Sequence, residues 1–276
     1  MQITALYTYP IKGLAGVYLP KARVEARGLA YDRRWMLTDR DGLFLSQREL
    51  PKLSLLVPDL TVSGLIIRHR FEPIEPLHIP LHVPEPPNRL QVQVWDDRCE
   101  ALPVSREADE WFSEILHTHC RLVYMPNDVA RPLNPDYGLP GEIVGFADCC
   151  PLLVIGEASL NDLNSRFEQP FPMDRFRPNI VFAGGQPYEE DHWKDFQIGN
   201  VPFRGIRRCG RCQVITIDQQ LGEVGKEPLR TLSTYRREGH KIFFGLHAAW
   251  APDKSTEALP HIQVGDEVII SKPVRQ

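Results

Sequence analysis

Apolar positions recur along this chain in two rhythms. One is a short alternating or continuous run that builds strands; the other is the three-and-four spacing of a helix face. Gln2 to Tyr9 is an apolar, β-prone run ending at Pro10, and Trp35 to Thr38 leads through Asp41-Gly42 into Leu43 to Leu45, the pattern of a hairpin. Leu53 to Val57, Leu60 to Ile67 and Leu90 to Trp95 are further strand candidates. The proline-rich stretch from Pro73 to Pro87 cannot lie within a central strand. Helical spacing first appears at Ala108, Trp111, Phe112, Ile115 and Leu116, with Ser105 placed to cap it, and this helix marks the seam between two lobes. Arg121 to Met125 is again strand-like, and Pro126 to Glu142 reads as a long loop.

In the second half, Leu152 to Ile155 reads as a buried strand, and Leu160, Leu163 and Phe167 form a helical stripe behind a Ser159…Asp162 capping box. Asn179 to Phe182, two strands around the turn Gly199-Asn200, and the alternating run Gln213 to Asp218 are expected as β. Pro228 suits a first helical turn, with Leu229, Leu232 and Tyr235 facing inward. Lys241 to Leu246 and Val264 to Ile270 close the chain as strands. The pattern predicts a mainly β protein with a few helices (α+β), a barrel or sandwich without internal repeats.

Composition narrows this. A length of 276 residues allows one large domain or two modest ones, and 25 prolines with 19 glycines agree with many short elements. With 32 basic and 36 acidic side chains the net charge is −4, so nothing draws the whole protein to nucleic acid or to an anionic membrane. Any anion site must be local. No run approaches the ~20 apolar residues of a membrane span, and Met1-Gln2-Ile3-Thr4 lacks the flank of a signal peptide, so a cytoplasmic protein is expected. The six cysteines, Cys149 and Cys150 adjacent among them, suit reduced thiols better than a disulfide framework.

The densest chemical signal is Arg204-Gly205-Ile206-Arg207-Arg208-Cys209-Gly210-Arg211-Cys212, where four guanidiniums accompany two thiols. Nearby cations stabilise a thiolate, the form that binds metals, and arginine presents a planar fork to phosphate. The alternative is buried, inert cysteines beside solvated arginines. A thioredoxin-type dithiol would open a helix, whereas Cys212 leads into the β-prone run Gln213 to Asp218. A zinc knuckle needs a second ligand pair, and the adjacent Cys149 and Cys150 are poorly placed to share one tetrahedral site. His117-Thr118-His119-Cys120 is read as serving the end of its helix, and Glu189-Glu190-Asp191 beside His192 as a solvated loop. No G-x-G-x-x-G, G-x-x-x-x-G-K or G-x-S-x-G is present, which leaves nicotinamide, nucleotide triphosphatase and serine hydrolase chemistry without a starting residue.

Several short motifs in order resemble one family nearly end to end. They are Tyr9-Pro10-Ile11-Lys12-Gly13, Gly28 through Trp35, Glu157-Ala158-Ser159-Leu160 with Leu163-Asn164-Ser165-Arg166, and Phe176-Arg177-Pro178-Asn179-Ile180-Val181. Glu190-Asp191-His192-Trp193, Cys209-Gly210-Arg211-Cys212, Lys226-Glu227-Pro228-Leu229 and Val264-Gly265-Asp266 complete the set. The chain resembles the MOSC-domain proteins, in the branch of the mitochondrial amidoxime reducing component and its bacterial relatives. The resemblance implies an N-terminal β-rich MOSC barrel lobe over residues 1–120 packed against a MOSC β-barrel domain over residues 121–276.

It also implies a molybdenum centre held by a pyranopterin dithiolene (molybdopterin) and by one cysteine, which falls on Cys212 as metal ligand. Cofactor contacts fall on Lys12, Arg33, Asp148, Cys149, Arg177, Asn179, Gly210 and Arg211, with Cys212 and Asp148 as the catalytic positions. Two departures stand out: Gly13 where relatives commonly carry serine, and Asp148-Cys149-Cys150 in place of Asp-Thr-Ser or Asp-Gly-aromatic. The implied activity is molybdenum-cofactor-dependent reduction of N-hydroxylated compounds, amidoximes and hydroxylamines. Because the chain ends at Gln276 without an iron–sulfur domain, electrons are expected from a separate ferredoxin or flavin reductase. MOSC domains also end the molybdenum cofactor sulfurases, whose pyridoxal-phosphate domain supplies sulfur. The alternatives are therefore a sulfur carrier using a Cys212 persulfide, or a cofactor-binding protein without catalysis.

Overall fold

The computed structural model of the chain describes residues 1–84, 88–252 and 258–273. The first half carries β1 (Gln2–Thr8), β2 (Val17–Leu19), β3 (Lys21–Glu25), β4 (Gly28–Leu29), β5 (Trp35–Thr38), β6 (Leu56–Leu60), β7 (Gly64–His69), β8 (Leu77–Pro80), β9 (Leu90–Val94), β10 (Asp97–Pro103) and helix α1 (Arg106–Leu116). The second carries β11 (Arg121–Tyr124), β12 (Arg131–Pro132), β13 (Ile143–Val144), β14 (Leu152–Gly156), α2 (Glu157–Asn164), β15 (Ile180–Ala183), β16 (Trp193–Ile198) and β17 (Val201–Gly210). It ends with α3 (Leu229–Tyr235), β18 (Arg237–Glu238), β19 (Lys241–Trp250), β20 (His261–Gln263) and β21 (Val268–Pro273). The fold class is mainly β with a few helices, as the patterning predicts.

Nine strands form one sheet in the order β2-β1-β15-β14-β19-β17-β16-β21, with β18 adding to β19. Neighbours run antiparallel except β14 and β15, the parallel pair that α2 connects. The sheet curls until its ends meet: the Ile3 N–H donates to the Asp266 carbonyl at 2.9 Å and the Val268 N–H to the Met1 carbonyl at 2.8 Å. Closure of this kind removes open strand edges. Leu6, Val154, Phe182, Trp193, Phe196 and Phe203 fill the interior.

A smaller unit beside it combines the sheet β5-β11-β10-β9, the meander β6-β7-β8 and α1. On α1 the buried Ala108, Phe112 and Leu116 recur every fourth residue, and the Ser105 Oγ accepts from the Ala108 N–H at 3.1 Å. Truncating Phe112, which has no exposure, to alanine would cost ~3–5 kcal/mol. His117 ends α1 in the left-handed region at φ 51°, so His117 to Cys120 serve the helix end as expected.

Four local expectations are corrected, and one hairpin is borne out. Leu53 to Leu55 lie in a 3-10 turn, Pro51–Leu55, where proline favours a helical start. Leu60 to Ile67 is not one strand but straddles the turn joining β6 to β7. Leu43 to Leu45 do fold back antiparallel on β5 as the hairpin predicts, the Asp39 N–H donating to the Leu43 carbonyl at 2.9 Å and the Leu45 N–H to the Leu37 carbonyl at 2.8 Å, while the other edge of β5 pairs with β11. Ser159 is not a cap: α2 begins at Glu157, and the buried Ser159 hydroxyl donates to Glu190 at 2.8 Å. Glu190 itself is fully buried, not solvated, because the short turn Glu189–His192 sits over the start of α2, where the Gly156 N–H donates to its carboxylate. Two smaller points concern the same kind of segment. The stretch Pro73 to Pro87 does contain β8, an edge strand where proline is tolerated, and residues 85–87 fall outside those described. The expected strand Val264 to Ile270 starts at Val268, after a turn.

Candidate functional site

A cavity of about 370 Å³ opens between the barrel and the smaller unit, and every residue that the resemblance assigns to the cofactor lines it: Lys12, Arg33, Asp148, Cys149, Arg177, Asn179, Gly210, Arg211 and Cys212. Lys12 follows the bridge between Ile11 and Trp35, so it is anchored to β5. Its Nζ donates to the Phe146 carbonyl at 2.8 Å and to Asp148 Oδ1 at 2.5 Å, above the face of Phe44. Burial pulls the Lys12 ammonium below its ordinary pKa, and Asp148 partly restores it. The Asp148 side chain is 64% exposed to the cavity, although it lies deep among protein atoms. Desolvation opposes its charge, but Lys12 and the Trp95 indole N–H hold the carboxyl well below the usual range. Asp148 is thus a fixed anion and a hydrogen-bond acceptor.

Gly13, next to Lys12, has φ +89°, a backbone conformation that favours glycine. Arg33 and Arg177 also stand in the left-handed region, at φ 46° and 55°, a strained backbone that clusters at functional sites. Both guanidiniums stack over the Tyr9 ring, 4.2 and 4.3 Å from its centroid. Arg33 is neutralised by Asp32 at 2.6 Å, whereas Arg177 donates only to the neutral Gln219 Oε1 at 3.3 Å. Burial, reinforced by Arg33, lowers the Arg177 pKa to about 10. Each amide atom of Asn179 is already engaged: Nδ2 donates to Tyr7 O and Asp32, and Oδ1 accepts from Arg33 and the Leu153 N–H.

The arginine-rich run does not act as one cluster. Arg204 pairs with Glu142, Arg207 stacks on Tyr137 and Arg208 pairs with Glu238, because β17 alternates its side chains between faces. Arg211 alone reaches a sulfur, and that sulfur is Cys209, at 3.1 Å. Burial raises the Cys209 pKa, but Arg211 and His247 more than offset this and bring it down to about 7. The segment after Cys212 is a 3-10 turn, Gln213–Thr216, and not the expected strand; Thr216 Oγ1 closes the turn by donating to the Gln213 carbonyl at 2.7 Å. Cys212 stands at the start of this turn, half-buried, on the cavity wall.

Three functional positions escape the sequence reading. His247 lies in β19 just beyond the run that the pattern assigns, and Gly245 at φ +83° opens a bulge that aims it at the sulfurs. Arg131, 4% exposed, donates to the carbonyls of Gly145, Ala147 and Asp148 and so fixes the segment that carries Asp148 and Cys149. Trp95, the third non-glycine cavity residue with positive φ, positions Asp148. Only the polar residue amid the apolar run of β19 left a signal in the sequence. The Cys149 thiol is pulled well below its ordinary pKa by a hydrogen bond from Cys150 and, against burial, by the His247 imidazole. All six cysteines are free.

Comparison with known proteins agrees with this geometry. Residues 142–269 match the model of the MOSC domain, and residues 1–119 that of the MOSC N-terminal β-barrel domain. The chain is 31% identical to mitochondrial amidoxime reducing component 2 of Homo sapiens, over 96% of this chain and 82% of that protein. It is 31% identical to the molybdenum cofactor sulfurase of Solanum lycopersicum and 30% identical to that of Danio rerio, covering 97% of this chain in each case. It spans only 35% and 34% of those two proteins. The chain belongs to the MOSC-domain family, with a MOSC N-terminal β-barrel domain ahead of its MOSC domain.

Proposed function

We propose that the cavity holds a molybdenum–pyranopterin cofactor and that the protein reduces N-hydroxylated compounds such as amidoximes and hydroxylamines. One observation carries this reading. Arg48, Arg177 and Arg211 line the cavity without a carboxylate partner among the described residues, in a protein of net charge −4. The Arg211 Nε is buried and unpartnered. Unneutralised guanidiniums suit an anionic, phosphate-bearing ligand, and the half-buried Cys212 beside them suits a soft metal.

Cys212 would be the thiolate ligand to molybdenum. Lys12, Arg33, Arg177 and Arg211 would neutralise the phosphate and hold the pterin, with Asn179 fixing Arg33, and Gly210 and Cys149 forming the adjacent wall. When bound, the cofactor supplies the two-electron redox chemistry. Conversion of N–OH to N–H consumes two electrons and two protons and releases water. Asp148, held ionised by Lys12 and Trp95, orients the ligand by accepting hydrogen bonds and does not act as an acid. The electrons would come from a separate ferredoxin or flavin reductase, and the free cysteines suit a reducing compartment such as the cytoplasm.

Protein made in a host that synthesises the cofactor should contain molybdenum and pterin and reduce benzamidoxime, and Cys212→Ala should lose both metal and activity. Metal and turnover at the wild-type level in that variant overturn the ligand assignment. The match to about a third of each molybdenum cofactor sulfurase favours a second reading, a sulfur carrier. Mass spectrometry that finds an added sulfur on Cys212 and no molybdenum would select it. Pterin bound without turnover, under any reductant, would select a non-catalytic binding protein.

A further inference from the structure

A second set of soft ligands lies on the same wall. In an extended strand Cys149 and Cys150 would point to opposite faces. Here the chain bends as it enters β14, and both sulfurs come within 4.8 Å of each other and of a ring nitrogen of His247. The adjacent cysteines, expected to be poorly placed to share one site, thus lie close enough to do so. The Cys149 Sγ lies 3.4 Å from His247 Nε2, and His247 Nδ1 lies 3.4 Å from the Leu152 carbonyl. A carbonyl facing Nδ1 keeps the proton there and directs Nε2 at the sulfurs, the arrangement that a metal-ligating imidazole adopts.

Two thiolates and one imidazole are a donor set for a tetrahedral d10 cation, and carboxylate-preferring ions such as magnesium and calcium have no oxygen ligand in it. Cys150 is buried while Cys149 and His247 are half-buried, and all three line the cavity. Three protein ligands on a cavity wall leave the fourth position open to it, as in zinc sites that bind water or substrate.

We propose that Cys149, Cys150 and His247 form a zinc site, separate from Cys212, with its fourth coordination position facing the cavity. Zinc takes the place of the two thiol protons, which leave to solvent, and is bound by the lone pair of Nε2 while Nδ1 keeps its proton. The site requires no pterin and does not rest on the cofactor reading.

The test uses the full chain, reduced and stripped with a chelator, then titrated with cobalt(II) and zinc(II). We expect saturable uptake of one metal per chain, thiolate-to-cobalt charge-transfer absorption with tetrahedral d–d bands, and displacement of cobalt by zinc. Zinc-edge X-ray absorption should find sulfur and nitrogen in the first coordination shell, a readout that needs no variant. Cys149→Ser and His247→Ala should each weaken binding more than about tenfold, and Cys212→Ser should leave it unchanged. A wild-type chain that takes up no metal, a shell of oxygen and nitrogen alone, or loss of binding in Cys212→Ser would each overturn the proposal. The last variant also keeps this outcome distinct from the fate of the molybdenum reading, which Cys212→Ala decides.

Discussion

Lys12 and Asp148, 136 positions apart in sequence, hold each other at 2.5 Å as unequal partners: the lysine side chain is 8% exposed and the aspartate 64%. Removing either therefore has a different consequence. Asp148→Asn leaves a buried ammonium without a counter-charge, with the amide oxygen, the Phe146 carbonyl and the Phe44 ring as its partners, and should cost about 2 kcal/mol. Lys12→Met leaves an aspartate that water can reach, and should cost less than about 1 kcal/mol. Urea unfolding of both variants measures the asymmetry. The pH dependence has a definite sign. The folded carboxyl is depressed, so its stabilisation is present above the ordinary carboxylate range, roughly pH 4, and is lost as pH falls toward the depressed value. Wild type should lose this increment in acid, and Asp148→Asn should not.

On the proposed reading, Arg177 costs stability and serves binding. Its charge is buried beside Arg33 and has no carboxylate partner among the described residues. Arg177→Met should raise the stability of the cofactor-free protein by about 1 kcal/mol while lowering the molybdenum and pterin content of protein from a cofactor-making host. Thermal melts and elemental analysis of one preparation read both effects. A variant that melts lower and keeps its cofactor contradicts the assignment.

Gly245 cannot carry a side chain. At φ +83° a Cβ would stand 2.7 Å from Ile155 Cγ1 and 3.0 Å from the Val154 carbonyl. Gly245→Ala should destabilise by more than about 2 kcal/mol and move His247 away from Cys149. A drop in melting temperature together with weaker cobalt uptake is the expected pair of results.

Glu190 tests the buried polar cluster over α2. Burial raises its pKa although the Gly156 N–H and Ser159 donate to it. With a raised folded value, its contribution is complete below the ordinary carboxylate range and declines as pH rises through the folded pKa. Glu190→Gln should flatten that decline at a cost under about 1 kcal/mol, and Glu190→Ala should cost about 3 kcal/mol by leaving Ser159 and Gly156 unpaired. Denaturation curves across pH distinguish the two.

The strands, the cap at Ser105 and the turn at Gly199-Asn200 were legible because local chemistry decides them. Gln213 to Thr216 was not, since the β-prone run suggests a strand, whereas the consecutive Ile215 and Thr216 are both buried in a turn that a hydroxyl bond closes. The burial of Glu190 was hidden because its partners, Ser159 and Gly156, lie about thirty positions away, beyond any local window. The residues around the cavity were found through motif order, but not their division of labour. That Arg211 serves Cys209 while Arg204, Arg207 and Arg208 serve other partners depends on strand faces and bulges.

The closure of the barrel sets a condition on biosynthesis. Gln2 pairs with Ala183, and Met1 and Ile3 with the start of β21 and the turn before it, so although β1 can pair with β2 at once, its other partners are synthesised about 180 and 265 residues later. Pairing across such separations is slow and exposes unpaired edges meanwhile. A chain in synthesis therefore carries an unpaired edge on β1 until β15 and β21 have emerged.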